Sequence, residues 1–360
     1  MQNPEQLSFS AQMDFYKYEP IIFSILVITF LFLAIPIPIN NEDGGGRDLI
    51  RQFNSYIKQF NKPYLTGTPE YEKRFQLFKK SCERINELNK KRKSDHSATF
   101  GPTMFSDMTE NEFMSLHLNW KGSINNSQTE LSALLAHGNH LLGDMNSIPM
   151  VLDWRARGVV SPVRDQEKCG ACWAFSIIET VESMNALKTG HLTNLSVQQL
   201  IDCTENGNYG CYGGDTCSAL EWLTSTKTSV YRDVDYPLLL VDHRCSLMHH
   251  NESVLVRNYT CNNFVNHEDA LLKILNLGPV VAAVDAALWQ DYISGVIHFH
   301  CSDNLNHAVQ IVGYNKSSPI PHYIVRNTWG VEYGDKGYVK IAMGSNMCGI
   351  AMQISHIDVY

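Results

Sequence analysis

Hydrophobic and polar positions divide the chain into stretches of different character. Ile21–Ile35, "IIFSILVITFLFLAI", is almost continuously apolar. From Arg47 to about Lys93 the chain is charged, and its apolar residues recur at helical spacing. Phe53, Ile57 and Phe60 form one such series, and Phe75, Phe78, Ile85 and Leu88 another with one turn skipped. "TGTPEYEKRF" reads as a turn, a proline near a helix start and acidic residues in the first turn. Residues 121–148 are polar and broken by Gly and Asn, the pattern of a linker open to proteolysis. Past Ile148-Pro149 the chain is rich in Gly, Cys, Trp and Tyr. There "FSIIETVESMNALKTG" predicts a helix with Phe175, Ile178, Val181 and Met184 on one face and Gly190 as C-terminal cap. "LSVQQLIDC" predicts a second, with Ser196 as N-cap and Gln199 at the capping-box position. "AVQIVGYN", "HYIVRNTWG" and "GYVKIAM" are β-rich runs ending in turn residues. Helices first and strands afterwards indicate an α+β fold.

Composition narrows the partners. The 360 residues are long enough for one large or two medium domains, and 44% hydrophobic content is ordinary for a globular chain. A net charge of −8 and a pI near 5.9 argue against nucleic acid. Ile21–Ile35 is short for a membrane span, which needs about 20 residues, and fits the apolar part of a signal peptide. The leader before it carries Glu5, Asp14 and Glu19 against Lys17, so a signal anchor is the second reading, and Met13 as start would give a more typical leader. "NNEDGGG" then reads as a flexible joint. Ten cysteines and N-x-S/T sequons at Asn125, Asn194, Asn251, Asn258 and Asn315 suit an oxidising, secretory environment.

The stretch "RDQEKCGACWAF" sets Cys169 and Cys172 three positions apart at a helix start. A structural zinc site wants a second such pair, which is absent. A thioredoxin-like redox pair would follow a βαβ pattern, also absent. A disulfide suits Cys169. Cys172 falls in the first helical turn, where the helix dipole and free N–H groups favour a thiolate nucleophile. Such a thiolate also needs a proton-handling partner and donors for the oxyanion it creates.

"QEKCGACWAF", "NHAV" and "VRNTWG" together resemble papain-like cysteine proteases. The resemblance extends upstream: the family's propeptide pattern reads here as Glu70, Arg74, Phe78, Ile85 and Asn89, with Ser81 where Asn is usual. A second propeptide motif reads Gly101-x-Thr103-x-Phe105-x-Asp107, with Thr103 where Asn is usual. It implies a helical left subdomain and a β-barrel-like right subdomain with the active-site cleft between them, preceded by a helical propeptide. The expected boundaries are 1–40 for signal peptide or anchor, 41–148 for the inhibitory propeptide and 149–360 for the mature peptidase.

By the same resemblance Cys172 is the nucleophile, His307 its acid–base partner and Asn327 the residue that orients the imidazole. Trp329 covers that contact, and Gln166 with the Cys172 N–H forms the oxyanion hole. Gly213 and Gly214 would pair with an extended substrate, beside Asn306 and Trp329. The main specificity pocket maps to Asp215, Thr216, Ala283, Ala308 and Gln353. Its Asp and Gln imply tolerance of polar or basic P2 side chains, unless Asp215 points into solvent. Family disulfides map to Cys169–Cys211, Cys203–Cys245 and Cys301–Cys348. Cys217 and Cys261 are left over as a fourth bridge or two free thiols, and Cys82 as a free thiol. No metal or organic cofactor is implied. His249-His250 invites comparison with exopeptidases of this type, but no sizeable insertion surrounds it, which favours an endopeptidase.

The expected partners are protein or peptide substrates and the chain's own propeptide as inhibitor. A monomer is expected, touching membrane only through an uncleaved anchor and acting in the lysosome or as a secreted protein. Acid is expected to weaken carboxylate pairs that hold the propeptide. The alternative is a catalytically silent papain-fold binding protein or a propeptide-type protease inhibitor.

Overall fold

The computed structural model describes residues 45–122, 148–247, 253–299 and 301–360. The apolar run Ile21–Ile35, residues 123–147 of the linker, Asn125, Asn251 and His249-His250 lie outside the described residues. The pro-segment begins with α1 (Gly45–Gln59) and α2 (Pro69–Lys90). Thr68 caps α2, its side chain accepting the Tyr71 N–H, and Pro69 sits where the missing donor is harmless. The helical series meet as rings: Phe53 lies 5.2 Å from Tyr71 and 5.3 Å from Phe78, centroid to centroid. These residues, with Tyr56 and Cys82, form a small core of their own, while Ile85 and Leu88 further along α2 join the main core. Strand β1 (Thr99–Phe100) and helix α3 (Glu110–His117) follow. Helix α3 opens on a full capping box between Thr109 and Glu112, written in the sequence as T-x-x-E.

Beyond the linker, β2 (Val151–Asp153) precedes the helices α4 (Cys172–Thr189), α5 (Val197–Cys203) and α6 (Thr216–Thr226). A short pair, β3 (Val230–Tyr231) and β4 (Ser253–Val254), leads to β5 (Val256–Asn262), α7 (Glu268–Leu275) and β6 (Val280–Val284). The chain ends with β7 (Tyr292–Ser294), β8 (Val296–Ile297), β9 (His307–Asn315), β10 (His322–Arg326), β11 (Tyr338–Ala342) and β12 (Ile354–Val359). The main sheet runs β5-β12-β6-β9-β10-β11-β8, with β2 on β9 beyond the end of β6. β1 pairs with β7, so the segment before the linker adds a strand to the part that follows it. One core gathers Trp173, Phe175, Ile178, Leu200 and Leu220 from the helices; another gathers Val280, Val309, Ile311, Tyr323 and Val325 from the sheet. The α+β architecture, a helical half and a sheet half after a helical pro-segment, is the expected one.

Helix α4 departs from the one-face pattern. Every residue from Cys172 to Ser183 is buried, polar ones included. The hydroxyls of Thr180 and Ser183 turn back to the carbonyls of Ser176 and Glu179, and Glu179 and Glu182 meet Arg326 and Arg164. Gly190 ends the helix at φ 77°, in the left-handed region that favours glycine. Ser196 caps α5, but the Gln199 side chain does not return to it. It accepts the Tyr231 N–H and donates to the Ser229 carbonyl, tying α5 to β3. Disulfides join Cys169–Cys211, Cys203–Cys245, Cys217–Cys261 and Cys301–Cys348; Cys82 and Cys172 are free. Of the two arrangements left open for Cys217 and Cys261, the structure has the bridge.

Phe78 is fully buried in the pro-segment core. Phe78→Ala is expected to cost about 3–5 kcal/mol there. The Phe78→Ala chain should therefore be cut within residues 45–122 by a trace of added protease at concentrations that leave the parent intact, as gel analysis would show.

Candidate active site

Cys172 is the first residue of α4, and the preceding Ala171 offers no side-chain cap; its carbonyl takes the Ala174 and Phe175 N–H groups, and no side chain caps those of Cys172 and Trp173. His307 opens β9, and Asn327 follows directly on β10. Because β9 and β10 are antiparallel, the start of one lies beside the end of the other. His307 Nε2 and Asn327 Oδ1 are 2.8 Å apart, and Asn327 Oδ1 also accepts the Thr328 N–H. The Trp329 ring lies 4.9 Å from the imidazole at 31° and, with Trp289, screens it from water. The N–H of Ala308, next after His307, faces the Cys172 sulfur, so residues 172 and 307 share one site. Gln166 is buried beside them: its Oε1 accepts the Thr328 hydroxyl at 2.6 Å, and its Nε2 donates to the Cys169 carbonyl at 3.0 Å.

The pro-segment runs through this cleft. Gln166 Nε2 also reaches the His117 carbonyl at 3.4 Å. Gly214 accepts the Lys121 N–H and donates to the Asn119 carbonyl, and the Trp120 N–H bonds the Asn306 carbonyl at 3.0 Å. The Trp120 ring packs on Cys172, Ala283 and Ala308, with Leu305 alongside. Gly213, at φ 110°, and Gly214 permit this approach: a Cβ on Gly213 would meet the Asn119 carbonyl oxygen at 2.3 Å. Of the remaining pocket residues, Thr216 is buried at the start of α6 and Gln353 Nε2 bonds the Cys217 sulfur at 2.8 Å. Asp215 does not point into solvent. Its Oδ1 caps α6 and its Oδ2 is buried against the pro-segment. The sequon residues Asn194 and Asn258 are exposed, whereas Asn315 is partly buried with Oδ1 engaged by Ser317 and Ser318.

Residues 148–357 match the papain family cysteine protease model, and residues 53–113 match the cathepsin propeptide inhibitor domain. The chain is 40% identical over 292 residues to cathepsin O of Homo sapiens, covering 80% of this chain and 88% of that one. The chain belongs to the papain family of cysteine proteases. Its fold is likewise similar to procathepsin L2 of Tenebrio molitor larval midgut, with TM-score 0.75, 29% identity and coverage of 86% of this chain and 99% of that one. The proform of a ragweed pollen cysteine protease matches with TM-score 0.74 at 27% identity, over 89% and 98% of the two chains. Together these make the chain a papain-type cysteine endopeptidase proenzyme, with the pro-segment as its intramolecular inhibitor.

In this papain-family proenzyme the site is electrically silent. Burial pushes the Cys172 thiol up to about 11, despite the N–H groups facing it, and pushes the His307 imidazole down to about 4, against the Asn327 bond. No hydrogen bond reaches His307 Nδ1. The neutral thiol and neutral imidazole are the reverse of the ion pair a thiolate nucleophile needs. His117, which the sequence reading passed over, shares this burial. Its ring packs 4.6 Å from Phe105 and 6.3 Å from Trp329, and neither ring nitrogen has a partner. Burial first, then His307 and the cations Lys62 and Lys168, push it down to about 4, against a weaker pull from the Glu167 backbone.

Acid acts on the carboxylates and on the imidazoles of the interface in different ways. Asp291 holds Arg84 and the Ser106 hydroxyl of the pro-segment; burial raises its carboxyl, while those two partners favour its charged form. The Glu112 carboxyl, paired with Arg74 inside the pro-segment, is held low and weakens only in stronger acid. The imidazoles have the opposite sign. Each is depressed from 6.5 to about 4, so docking is undisturbed above pH 6.5 and weakens as pH falls from there to about 4.

At pH 7 a thiol at about 11 is thiolate in roughly one molecule in 10⁴. Iodoacetamide should therefore leave Cys172 unmodified in the intact proenzyme under conditions that alkylate it in the matured enzyme, as peptide mass spectrometry would show. His117→Phe keeps an aromatic ring without a proton site. Its conversion at pH 5, followed by gel, should slow by at least about threefold relative to the parent; an unchanged rate would move the trigger elsewhere.

Proposed function

We propose that Cys172 is the nucleophile of this endopeptidase, with His307, Asn327 and Gln166 as its working partners. Residues 41–148 are then the propeptide, and a cut near residues 147–149 frees 149–360. The observation that carries this reading is the pairing of Asn119–Lys121 with Gly214 over Cys172, which sets an extended backbone where a peptide substrate would lie.

Once water re-enters the cleft, the proton passes from Cys172 to His307, and the thiolate attacks the scissile carbonyl carbon. The carbonyl oxygen becomes an oxyanion held by Gln166 Nε2 and the Cys172 N–H, whose alignment follows from the fixed Gln166–Thr328 bond. The His307 imidazolium protonates the leaving amine as the C–N bond breaks, giving a thioester. Neutral His307 then takes a proton from water, whose oxygen attacks the thioester; the acid product leaves and the thiol is restored. Asn327 keeps Nδ1 turned toward the sulfur by holding Nε2, under the cover of Trp329.

The apolar Ile21–Ile35 run, the disulfides and the exposed sequons at Asn194 and Asn258 support entry into the secretory pathway through residues 1–40. The protein then acts as a monomer in the lysosome or outside the cell. Asn315 is a poorer glycan acceptor than the other two, because it is partly buried while they are exposed.

Incubating the full-length proenzyme at pH ~4–5 should yield a band beginning near Ile148. An epoxide or fluoromethyl-ketone affinity probe should label that band at Cys172 and leave the proenzyme unlabelled. Cys172→Ser should lower kcat/KM by at least about 10⁴-fold, and Gln166→Ala should lower kcat by about 10²–10³-fold. A matured chain that neither labels nor hydrolyses any peptide would sink the reading.

A further inference from the structure

The pocket filled by Trp120 has an apolar floor and one unanswered charge on its wall. Its floor is Ala283, Ala308 and Leu305. Asp215 stands beside it as the N-cap of α6, in extended backbone geometry at φ −110°, ψ 130°. Oδ1 accepts the Ser218 N–H at 2.6 Å, and the Asp215 N–H is held by Asn208 Oδ1 at 2.9 Å, so both ends of the residue are fixed. Oδ2 is buried and receives no hydrogen bond.

The direction of that oxygen follows from Gly122. A Cβ there would stand 1.7 Å from Asp215 Oδ2 and 2.3 Å from Trp120 Cζ2, so the oxygen and the indole edge border one point. The indole does not answer the carboxylate: Trp120 Nε1 is itself buried without an acceptor. Thr216 Oγ1, next in the chain, is a further buried oxygen without a partner. Among the described residues no cation pairs with Asp215. The groups that favour its charged form are the Ser218 and Cys217 N–H groups and the Ser218 hydroxyl, and burial outweighs them. The Lys121 ammonium lies over the Tyr209 ring instead, 5.7 Å from its centroid. Gln353, the other polar residue of the pocket, directs an amide N–H at the Cys217 sulfur.

We propose that Asp215 selects substrates whose side chain in this pocket is lysine or arginine, the methylene stem lying on the alanine floor and the cation meeting Oδ2. A long cationic side chain is the one type that matches both halves of the wall, since its stem is apolar and its head donates charge-assisted hydrogen bonds. The pro-segment places an uncharged ring there and leaves the carboxylate unmatched, so departure of residues 117–122 opens the oxygen to substrate. This rests on the reading of Cys172 as nucleophile, and deepens it by naming a substrate class.

The test uses enzyme matured from the full chain and two fluorogenic peptides that differ only at P2, arginine against leucine. The unsubstituted enzyme is expected to hydrolyse the arginine peptide with kcat/KM at least equal to that for leucine. Asp215→Asn, which keeps a capping oxygen for Ser218 and removes the charge, should lower the arginine-to-leucine ratio at least tenfold. That ratio should also fall in the unsubstituted enzyme as pH drops through the carboxylate range. An unchanged ratio in D215N would make Asp215 a helix cap only and overturn the proposal. So would strong leucine turnover with negligible arginine turnover in the unsubstituted enzyme, a measurement that stands even where D215N does not fold. Absence of hydrolysis of both peptides together with no probe labelling at Cys172 would instead overturn the nucleophile reading on which it rests.

Discussion

The burial of α4 on every side from Cys172 to Ser183 is the constraint on which the site depends. A helix so enclosed has to answer its polar side chains from the elements around it. Glu182 accepts the Leu195 N–H and pairs with Arg164, while Glu179 meets Arg326, itself bound to Ser161 and the Pro162 carbonyl. Gln310 of β9 donates to the Glu179 carbonyl and the Ser183 hydroxyl. Burial pushes the Glu179 carboxyl up to about 7 in spite of Arg326. Removing one member of such a pair would leave an uncompensated buried charge, at about 3–5 kcal/mol. These contacts hold the register of α4 on β9 and β10 more tightly than shape alone could. That register sets a sulfur at a helix N-terminus against an imidazole at a strand start.

Latency follows from the same low dielectric that will later serve the chemistry. With residues 117–121 in place, Cys172 and His307 are fully buried and both favour their neutral forms. The pro-segment therefore inhibits twice, by filling the cleft and by removing the ion pair. His117 brings a second neutral imidazole into the same aromatic surroundings, formed by Phe105, Phe113 and Trp329. Lys62 and Lys168 act on it as cations and hold its proton off further.

Much of this was legible in the sequence, because local signals agreed with global ones. Pro69, Gly190 and Ser196 act as their residue types imply, and the β-rich runs became β9, β10 and β11 at nearly the expected bounds. The signature around Cys172, His307 and Asn327 named residues that the fold brings to one place. What failed to show was whatever depends on long-range partners. Periodicity gave α4 one apolar face, since Glu179 and Glu182 look like surface residues until Arg326 and Arg164 arrive from distant segments. His117 and Trp120 carry no local mark beyond being aromatic side chains in "LHLNWKG"; only docking gives them their neighbours. Gln199 took the capping-box position and served β3 instead, because two backbone groups of the adjoining segment needed partners.

Residues 117–121 lie in the cleft without the geometry that cutting one of their peptide bonds would need. The His117 carbonyl is 3.4 Å from Gln166 Nε2, longer than the roughly 2.7–3.1 Å at which a donor stabilises an oxyanion. The sulfur carries its proton, and His307 Nδ1 has no hydrogen bond through which to receive it. Trp120 is fastened through its N–H to the Asn306 carbonyl and through its flanking residues to Gly214, so the backbone is held away from the Cys172 sulfur. Binding strength and reactivity are thus separated: the contacts that hold the segment are those of an extended peptide, while the proton arrangement and donor distance that would break it are absent. Restoring them requires water rather than a new fold, because the strands, the buried ion pairs and the Gln166–Thr328 bond already stand in the proenzyme.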